Sequence, residues 1–232
     1  MDYLSNIELY YSPPSNYKGG EVKIEGDEQK HITKVMRHSV HDLVYVTDGI
    51  GHIFECEVYE INKDNLNLIV KNTLTYKNEF SNVIFCIPKL KNPERFEFAL
   101  EKCTELGITN FIVFESSRTV SKADKIDRWN KIVLSAMKQS LRSYLPQISI
   151  SISLSEIIKQ KGEKIIFEQN AKTFFNPEII NPLKNYLFIF GPEGGLSDEE
   201  VERINKDYLL KLAENRLRTE TAIVKCASIL TL

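Results

Sequence analysis

Leu187-Phe188-Ile189-Phe190-Gly191-Pro192-Glu193-Gly194-Gly195-Leu196-Ser197-Asp198-Glu199-Glu200 sets a buried strand, a glycine loop and a helix start one after another. The apolar run ended by Gly191 and Pro192 reads as a strand covered on both faces. Glycines let a backbone approach a flat ligand and adopt positive φ, and the proline stiffens the loop. Ser197 and Glu200 have the spacing of a capping box, in which each side chain satisfies an amide of the first helical turn. In open α/β sheets, ligands bind where strands end in such loops. The glycine spacing fits neither a dinucleotide-binding fingerprint nor a P-loop, and no lysine-serine pair follows. Standing alone, this loop reads as a tight strand-to-helix turn, so its neighbours decide what it does.

Those neighbours alternate. Upstream, Val83 to Ile87 is a continuous apolar strand, and Asn92-Pro93 opens a helix in which Phe96, Ala99, Leu100, Cys103 and Leu106 recur at helical spacing until Gly107. Ile108 to Phe114 is a second buried strand. A helix from about Asp124 to Leu141 buries Trp129, Ile132, Val133 and Ala136, with Pro146 closing it. Ile148, Ile150 and Ile152 alternate with serine as in a half-exposed strand, and Ser153 with Glu156 reads as another capping box. Strands at Ile165–Phe167, Leu187–Phe190 and Leu209–Leu212 extend a pattern that favours a parallel sheet covered by helices. The last segment, Ala222 to Leu232, is apolar on nearly every side, which calls for burial all round, most easily by a partner subunit, with packing inside the monomer as the rival.

The N-terminal part differs. From Val22 to Val70, short apolar alternations are broken by turns such as Asp48-Gly49-Ile50-Gly51, which predicts a small β-rich unit, a barrel. The polar segment Lys71 to Ser81 reads as the linker. The expected domains are 1–72 and 73–232.

Composition narrows the function. The chain of 232 residues is 42% hydrophobic and 27% charged, as expected of a folded, soluble protein. No segment approaches a membrane span and no signal peptide is evident, so a cytoplasmic location is expected. A net charge of -2 argues against indiscriminate nucleic-acid binding and leaves that task to local patches. Cys56, Cys86, Cys103 and Cys226 are scattered through apolar stretches and read as buried thiols. His31, His38, His41 and His52 match no zinc signature, and no metal is expected.

Two further features stand beside the glycine loop. At the end of the following strand, Leu212-Ala213-Glu214-Asn215-Arg216-Leu217-Arg218-Thr219-Glu220-Thr221-Ala222 brings two arginines and a glutamate to a helix start. Alone they read as a surface salt-bridge cluster, but next to a glycine loop they point to a site. The basic run Arg118, Lys122, Lys125, Arg128, Lys131, Lys138 and Arg142 would ordinarily be a solvated helix face. Gln139, Ser140 and Arg142, however, stand where that helix ends, and Lys34, Arg37 and His38 form a second small patch.

Gly191-Pro192-Glu193-Gly194-Gly195, Arg216-Leu217-Arg218-Thr219-Glu220-Thr221-Ala222, Lys102-Cys103-Thr104-Glu105-Leu106-Gly107, and Gln139-Ser140 with Arg142 and Pro146 together resemble the RsmE family. His31-Ile32-Thr33-Lys34-Val35-Met36-Arg37, then Asp42 and Asp48-Gly49, resemble its N-terminal part, so the likeness covers almost the whole chain. It implies a PUA-like β-barrel followed by a SPOUT-type α/β domain with a C-terminal trefoil knot. It further implies an S-adenosylmethionine-dependent methyltransferase acting on N3 of a uridine in 16S ribosomal RNA of the small subunit, working as a homodimer. Cofactor contacts are then expected from Gly191, Pro192, Glu193, Gly194, Gly195, Leu212, Asn215, Arg216, Leu217 and Thr219. RNA contacts are expected from Lys34, Arg37, His38, Arg118, Gln139 and Arg142. Ala213 stands where the family usually has glycine, and the usual early arginine is not evident among Ile7-Glu8-Leu9-Tyr10-Tyr11.

Methylation at N3 requires that the uridine proton leave. Arg218 is the candidate to stabilise the developing anion, and Glu220 either to orient it or to accept the proton. The alternatives are a non-catalytic RNA-binding homologue and a methyltransferase with another RNA target. Arg218 and Glu220 beside an intact glycine loop speak against the first.

Overall fold

The computed structural model describes residues 4–118, 125–151, 153–204 and 208–231. Lys122, Asp124, Ile152 and Leu232, which figure in the sequence reading, lie outside the described residues. The chain forms two compact units, Met1–Asn78 with Met137–Leu145, and Glu79–Ala136 with Pro146–Leu232.

The first unit holds β1 (Leu9–Tyr11), β2 (Tyr17–Lys18), β3 (Glu21–Glu25), the short helix α1 (Gly26–Lys30), a π-turn at His31–Val35, β4 (Leu43–Thr47), β5 (His52–Ile61) and β6 (Asn65–Thr75). Its sheet runs β1-β4-β5-β6-β3-β2, with β1 and β2 as the two edges. Strand alternation builds its core, since Val22, Ile24, Val44, Val46, Val58, Leu66 and Leu68 turn inward around Tyr10 and Ile32. The polar stretch expected to be a linker is partly strand. Lys71 to Thr75 stays in the ladder because backbone pairing with His52 to Glu55 needs no apolar side chains.

Residues 137–145 fasten onto the turn at Asp48–Gly51. Leu145 N donates to the Gly49 carbonyl at 2.9 Å, Gly51 N to that of Ser143 at 3.0 Å, and Tyr144 Oη to that of Tyr76 at 2.9 Å. Gly51, at φ +118°, could not be replaced without moving Tyr144, whose hydroxyl stands 2.4 Å from where a Cβ would lie. Two histidines of this unit meet carboxylates at hydrogen-bond distance. His52 meets Asp48 at 2.6 Å and His41 meets Glu57 at 2.9 Å.

The second unit contains β7 (Val83–Pro88), α2 (Pro93–Glu105), β8 (Asn110–Phe114), most of α3 (Ile126–Gln139), β9 (Gln147–Ser151), α4 (Leu154–Lys159), β10 (Glu163–Phe167), β11 (Thr173–Phe174), β12 (Tyr186–Phe190), α5 (Asp198–Arg203), β13 (Tyr208–Lys211) and α6 (Thr219–Leu230). Its seven strands run β11-β13-β10-β12-β7-β8-β9, and every pairing is parallel. Every residue of β12 is buried, as its apolar run requires of a central strand. Cys86, Ile112, Ile166, Leu187 and Ile189 pack with Leu154 and Ile157 of α4. All four cysteines are free and buried.

Four local expectations are corrected. Helix α3 ends at Gln139, close to the expected Leu141, but it is the left-handed turn of Leu141 at φ +56° that stops it and not Pro146. In β9, Ile150 is exposed and Ser151 is buried, since Ser151 Oγ donates to Glu156 Oε2 at 2.9 Å. That bond draws Glu156 away, and the Ser153 side chain makes no capping bond, so only the Ser197–Glu200 box forms. Finally, α6 has a polar stripe. Thr221, Lys225 and Ser228 recur every three or four residues and are exposed, so the helix does not need burial all round.

Candidate functional site

Strands β13, β10 and β12 are neighbours in the sheet, so the loops after their carboxyl ends converge. Together with the start of α6 and Arg95 of α2 they enclose a cleft of about 590 Å³. The glycine loop forms one wall. Phe167 to Asn170 follow β10, and Leu212, Ala213 and Arg216 to Thr219 follow β13.

Hydrogen bonds hold the loops. Thr219 Oγ1 donates to the Gly191 carbonyl at 3.1 Å, tying α6 to the glycine loop. Gln169 Nε2 donates to the Glu214 carbonyl at 2.9 Å, tying the β10 loop to the β13 turn. Lys91 N donates to Glu193 Oε1 at 3.1 Å, and Arg118 Nη1 donates to the Gly194 carbonyl. The Ser197 box anchors the far side, where Glu200 accepts from the amides of Ser117 and Ser197, both at 2.8 Å, and from Ser117 Oγ at 2.9 Å. Burial pushes the Glu200 carboxyl up, but these donors outweigh it and hold the group below the ordinary carboxylate value.

The glycines have distinct reasons to be there. Gly195 sits at φ +71°, where a side chain is strained. A Cβ on Gly191 would lie 3.2 Å from Leu196 N, so the loop closes on itself only with glycine or a shift. Gly194 has no such constraint, as a Cβ there would meet Arg118 Cδ at 3.4 Å, an ordinary contact. Ala213, in the place of a usual glycine, is absent from the left-handed residues, and its alanine is accommodated.

Of the residues expected to contact a cofactor, all but Asn215 line this cleft, and Arg218 joins them. Glu220 lies behind it. It is 7% exposed, in the first turn of α6, and pairs with Arg95, whose Nε stands 3.5 Å from Oε1. Its Oε2 is buried with no hydrogen-bond partner among the described residues, a situation that ordinarily costs about 1–3 kcal/mol. No ion pair joins Glu220 to Arg218 among the described residues.

Arg95, Glu168, Gln169 and Asn170 were not evident from sequence. They lie outside the glycine-rich and arginine-rich motifs, and only the sheet order brings them to the cleft. Burial pushes the Glu168 carboxyl up, partly offset by the Gln169 amide and Arg118. A second cleft of about 750 Å³ adjoins the first, sharing Arg95, Glu193 and Gly194 and adding Lys91 and Arg118.

The remaining residues expected at RNA lie in the first unit: Lys34, Arg37 and His38 in and after the π-turn, and Gln139 and Arg142 in the 137–145 segment. Arg37 is left-handed at φ 60°, which fixes its backbone in a conformation that L-residues rarely adopt. No group of three or more metal-ligating side chains occurs among the described residues.

Comparison with known proteins agrees with this architecture. Residues 78–231 match the model of an RNA methyltransferase domain, and residues 24–71 that of an RNA methyltransferase PUA domain. The ribosomal RNA small subunit methyltransferase E of Bacillus subtilis is 30% identical over 86% of this chain and 85% of its own. The protein of that name from Aquifex aeolicus is 30% identical over 97% of this chain and 99% of its own. A solved ribosomal RNA small subunit methyltransferase E from Neisseria gonorrhoeae, bound to S-adenosyl methionine, matches with a TM-score of 0.83 at 26% identity over 96% of each chain. With a PUA unit followed by a parallel-sheet unit whose glycine loop and arginine turn meet in one cleft, the chain belongs to the ribosomal RNA small subunit methyltransferase E family, RsmE.

Proposed function

We propose that this chain is the S-adenosylmethionine-dependent enzyme that methylates N3 of a uridine in 16S ribosomal RNA of the small subunit, acting in the cytoplasm as a homodimer. The observation that carries the reading is the cleft, where the glycine loop and the arginine turn meet the Glu168 carboxylate at three adjacent strand ends. Its residues suit the cofactor. A volume of about 590 Å³ lies within the range of small-molecule sites. Phe167, Phe190, Leu212 and Leu217 offer apolar walls, and the carboxylates of Glu168 and Glu193 favour a cation. When bound, S-adenosylmethionine supplies a methyl group on a sulfonium.

The chain's own task is to make N3 nucleophilic. If the uracil proton's pKa lies roughly two units above neutrality, its removal needs about 3 kcal/mol of help. Arg218, exposed at the rim of the cleft, provides positive charge for the uracil oxygens as the anion develops. Glu220, behind the cleft and paired with Arg95, serves either to orient the site's arginines or to accept the proton. Lys34, Arg37, His38, Gln139 and Arg142 hold the folded RNA, largely through phosphates, while the cleft selects the base.

The homodimer rests on apolar surface left on the second unit. Phe98 of α2 is 46% exposed, and Val224 and Ile229 of α6, which packs on α2, are only half-buried. A C-terminal trefoil knot, implied by the family resemblance, belongs to the same reading. It is supported by the passage from β12 past β10 to β13.

The test is incubation of the protein with labelled S-adenosylmethionine and small ribosomal subunits lacking the modification. Mass spectrometry is expected to find 3-methyluridine at one position. A methyl group on a ribose oxygen, or equal turnover of free uridine, would overturn the assignment.

A further inference from the structure

The second cleft gathers cations that the first does not use. Lys91 and Arg118 line it and lie outside the first, while Arg95 lines both. Lys91, in the turn between β7 and α2, is exposed, and among the described residues its ammonium has neither an ion pair nor a hydrogen bond. Arg118 is exposed as well. Its Nη1 donates to the Gly194 carbonyl, and its Cδ stands 3.4 Å from where a Cβ on Gly194 would lie, so the side chain rests against the glycine loop. Most guanidinium donors of Arg118 are left over, and no carboxylate among the described residues stands within ion-pair distance of it.

Two carboxylates line the same cleft, and each has a local reason to be there. Glu193 Oε1 accepts from Lys91 N, which binds the glycine loop to this turn, and Glu94 stands in the first turn of α2, where the helix dipole favours an acid. The amides of that turn are already satisfied, since Asn92 accepts from those of Glu94 and Arg95. An anion in this cleft is therefore held by side chains.

We propose that the second cleft is the subsite for an RNA phosphate next to the methylated base, with Lys91 and Arg118 holding the phosphate while the base enters the first cleft. The proposal rests on the reading of the first cleft as the place of methyl transfer. That reaction needs the base in contact with the sulfonium methyl, so the nucleotide's own backbone must lie at an opening continuous with the cofactor cleft. Arg95, Glu193 and Gly194 belong to both walls, which makes the second cleft such an opening. Its volume of about 750 Å³ gives room for a nucleotide. The rival anion is the cofactor's own carboxylate, but Arg216 and Arg218 already line the first cleft, whereas Lys91 and Arg118 do not. The subsite is also distinct from Lys34, Arg37, His38, Gln139 and Arg142, which lie in the other compact unit.

The experiment measures binding of small ribosomal subunits lacking the modification, by filter binding across a salt series, with cofactor affinity by calorimetry and the product by mass spectrometry. Lys91→Gln is expected to weaken subunit binding about fivefold at low salt. It should also make the salt slope shallower by about 0.7, and adding Arg118→Gln should roughly double that change. Lys91→Arg should keep wild-type binding, and cofactor affinity should stay within about twofold throughout. Lys159→Gln, the same loss of charge on α4 outside both clefts, should behave as the wild type. Arg95 is left in place, because its removal would leave the nearly buried Glu220 without its cation. Should Arg118→Gln loosen the glycine loop, the exposed Lys91→Gln and Lys91→Glu decide the matter alone. Unchanged binding and slope in the Lys91 variants, or an equal loss in Lys159→Gln, would overturn the subsite. Weakened cofactor affinity would overturn it too, and would assign these cations to the cofactor's carboxylate. Subunits bound by the wild type but never methylated on a uridine would instead overturn the reading on which the subsite rests.

Discussion

The glycine loop gives a sharp contrast between adjacent positions. Gly195 adopts φ +71°, and a Cβ there would have only Arg118 Nη1 and Glu168 Oε1 nearby, each at 3.9 Å. The cost of Gly195→Ala is thus conformational rather than steric, about 1–2 kcal/mol for an L-residue held left-handed. Gly194 is not left-handed and has Arg118 Cδ at 3.4 Å, so Gly194→Ala is expected to be neutral or to stabilise by a few tenths of a kcal/mol through the unfolded chain. Thermal unfolding should lower the midpoint by about 2–8 °C for Gly195→Ala and leave Gly194→Ala within about 1 °C. Gly194→Val separates stability from binding. Its two methyls extend from a position already in contact with Arg118, at the mouth shared by both clefts, so calorimetry should find cofactor binding abolished in a folded protein. If Gly194→Ala proves as destabilising as Gly195→Ala, or if Gly194→Val binds cofactor normally, this account of the loop is wrong.

Other consequences can be measured directly. Glu200 has a carboxyl pKa held below its unfolded value, so its contribution to stability is present above the unfolded pKa and is lost as pH falls through the folded one. Acid titration of unfolding should show that loss in the wild type and not in Glu200→Gln; the half-exposed carboxylate limits the effect to about 1 kcal/mol. Thr219→Val removes the bond to the Gly191 carbonyl and should cost about 1 kcal/mol by denaturant titration, with weaker cofactor binding. Arg218→Ala should lower the methylation rate with cofactor affinity unchanged, whereas Arg37→Ala and Arg142→Ala should weaken RNA binding and reduce its salt slope. Light scattering should report a dimer at micromolar concentration, and a monomer would refute that part of the reading.

The parallel sheet was legible because its strands are apolar runs with punctuated ends. Leu187 to Phe190 reads as a strand buried on both faces, which the structure extends back to Tyr186, and Gly107, at φ +95°, marks the stop after α2. What misled were places where hydrogen bonding outweighed side-chain character. Polar Lys71 to Thr75 remains in a ladder, and Ser151 goes inside because Glu156 meets its hydroxyl. The stripe on α6 was present in the sequence as Thr221, Lys225 and Ser228, but three polar side chains among apolar ones are easily passed over when each is small or long enough to reach water.

The site divides along the same line. Residues contiguous in the chain, such as Gly191 to Gly195 or Arg216 to Thr219, advertise themselves, because one loop must supply several backbone contacts at once. Arg95 and Glu168 carry no such mark. Each stands on its own element and reaches the cleft only because β10 lies between β12 and β13 and because α2 packs against α6. An arginine in the first turn of a helix does conflict with the dipole, and that conflict is the one trace of Arg95 in the sequence. Local rules are broken most readily where a side chain serves a site instead of its own helix, so an exception of this kind beside a recognised motif is where a missing partner should be sought. Here the exception leads to Glu220, a carboxylate the motif supplied without its cation.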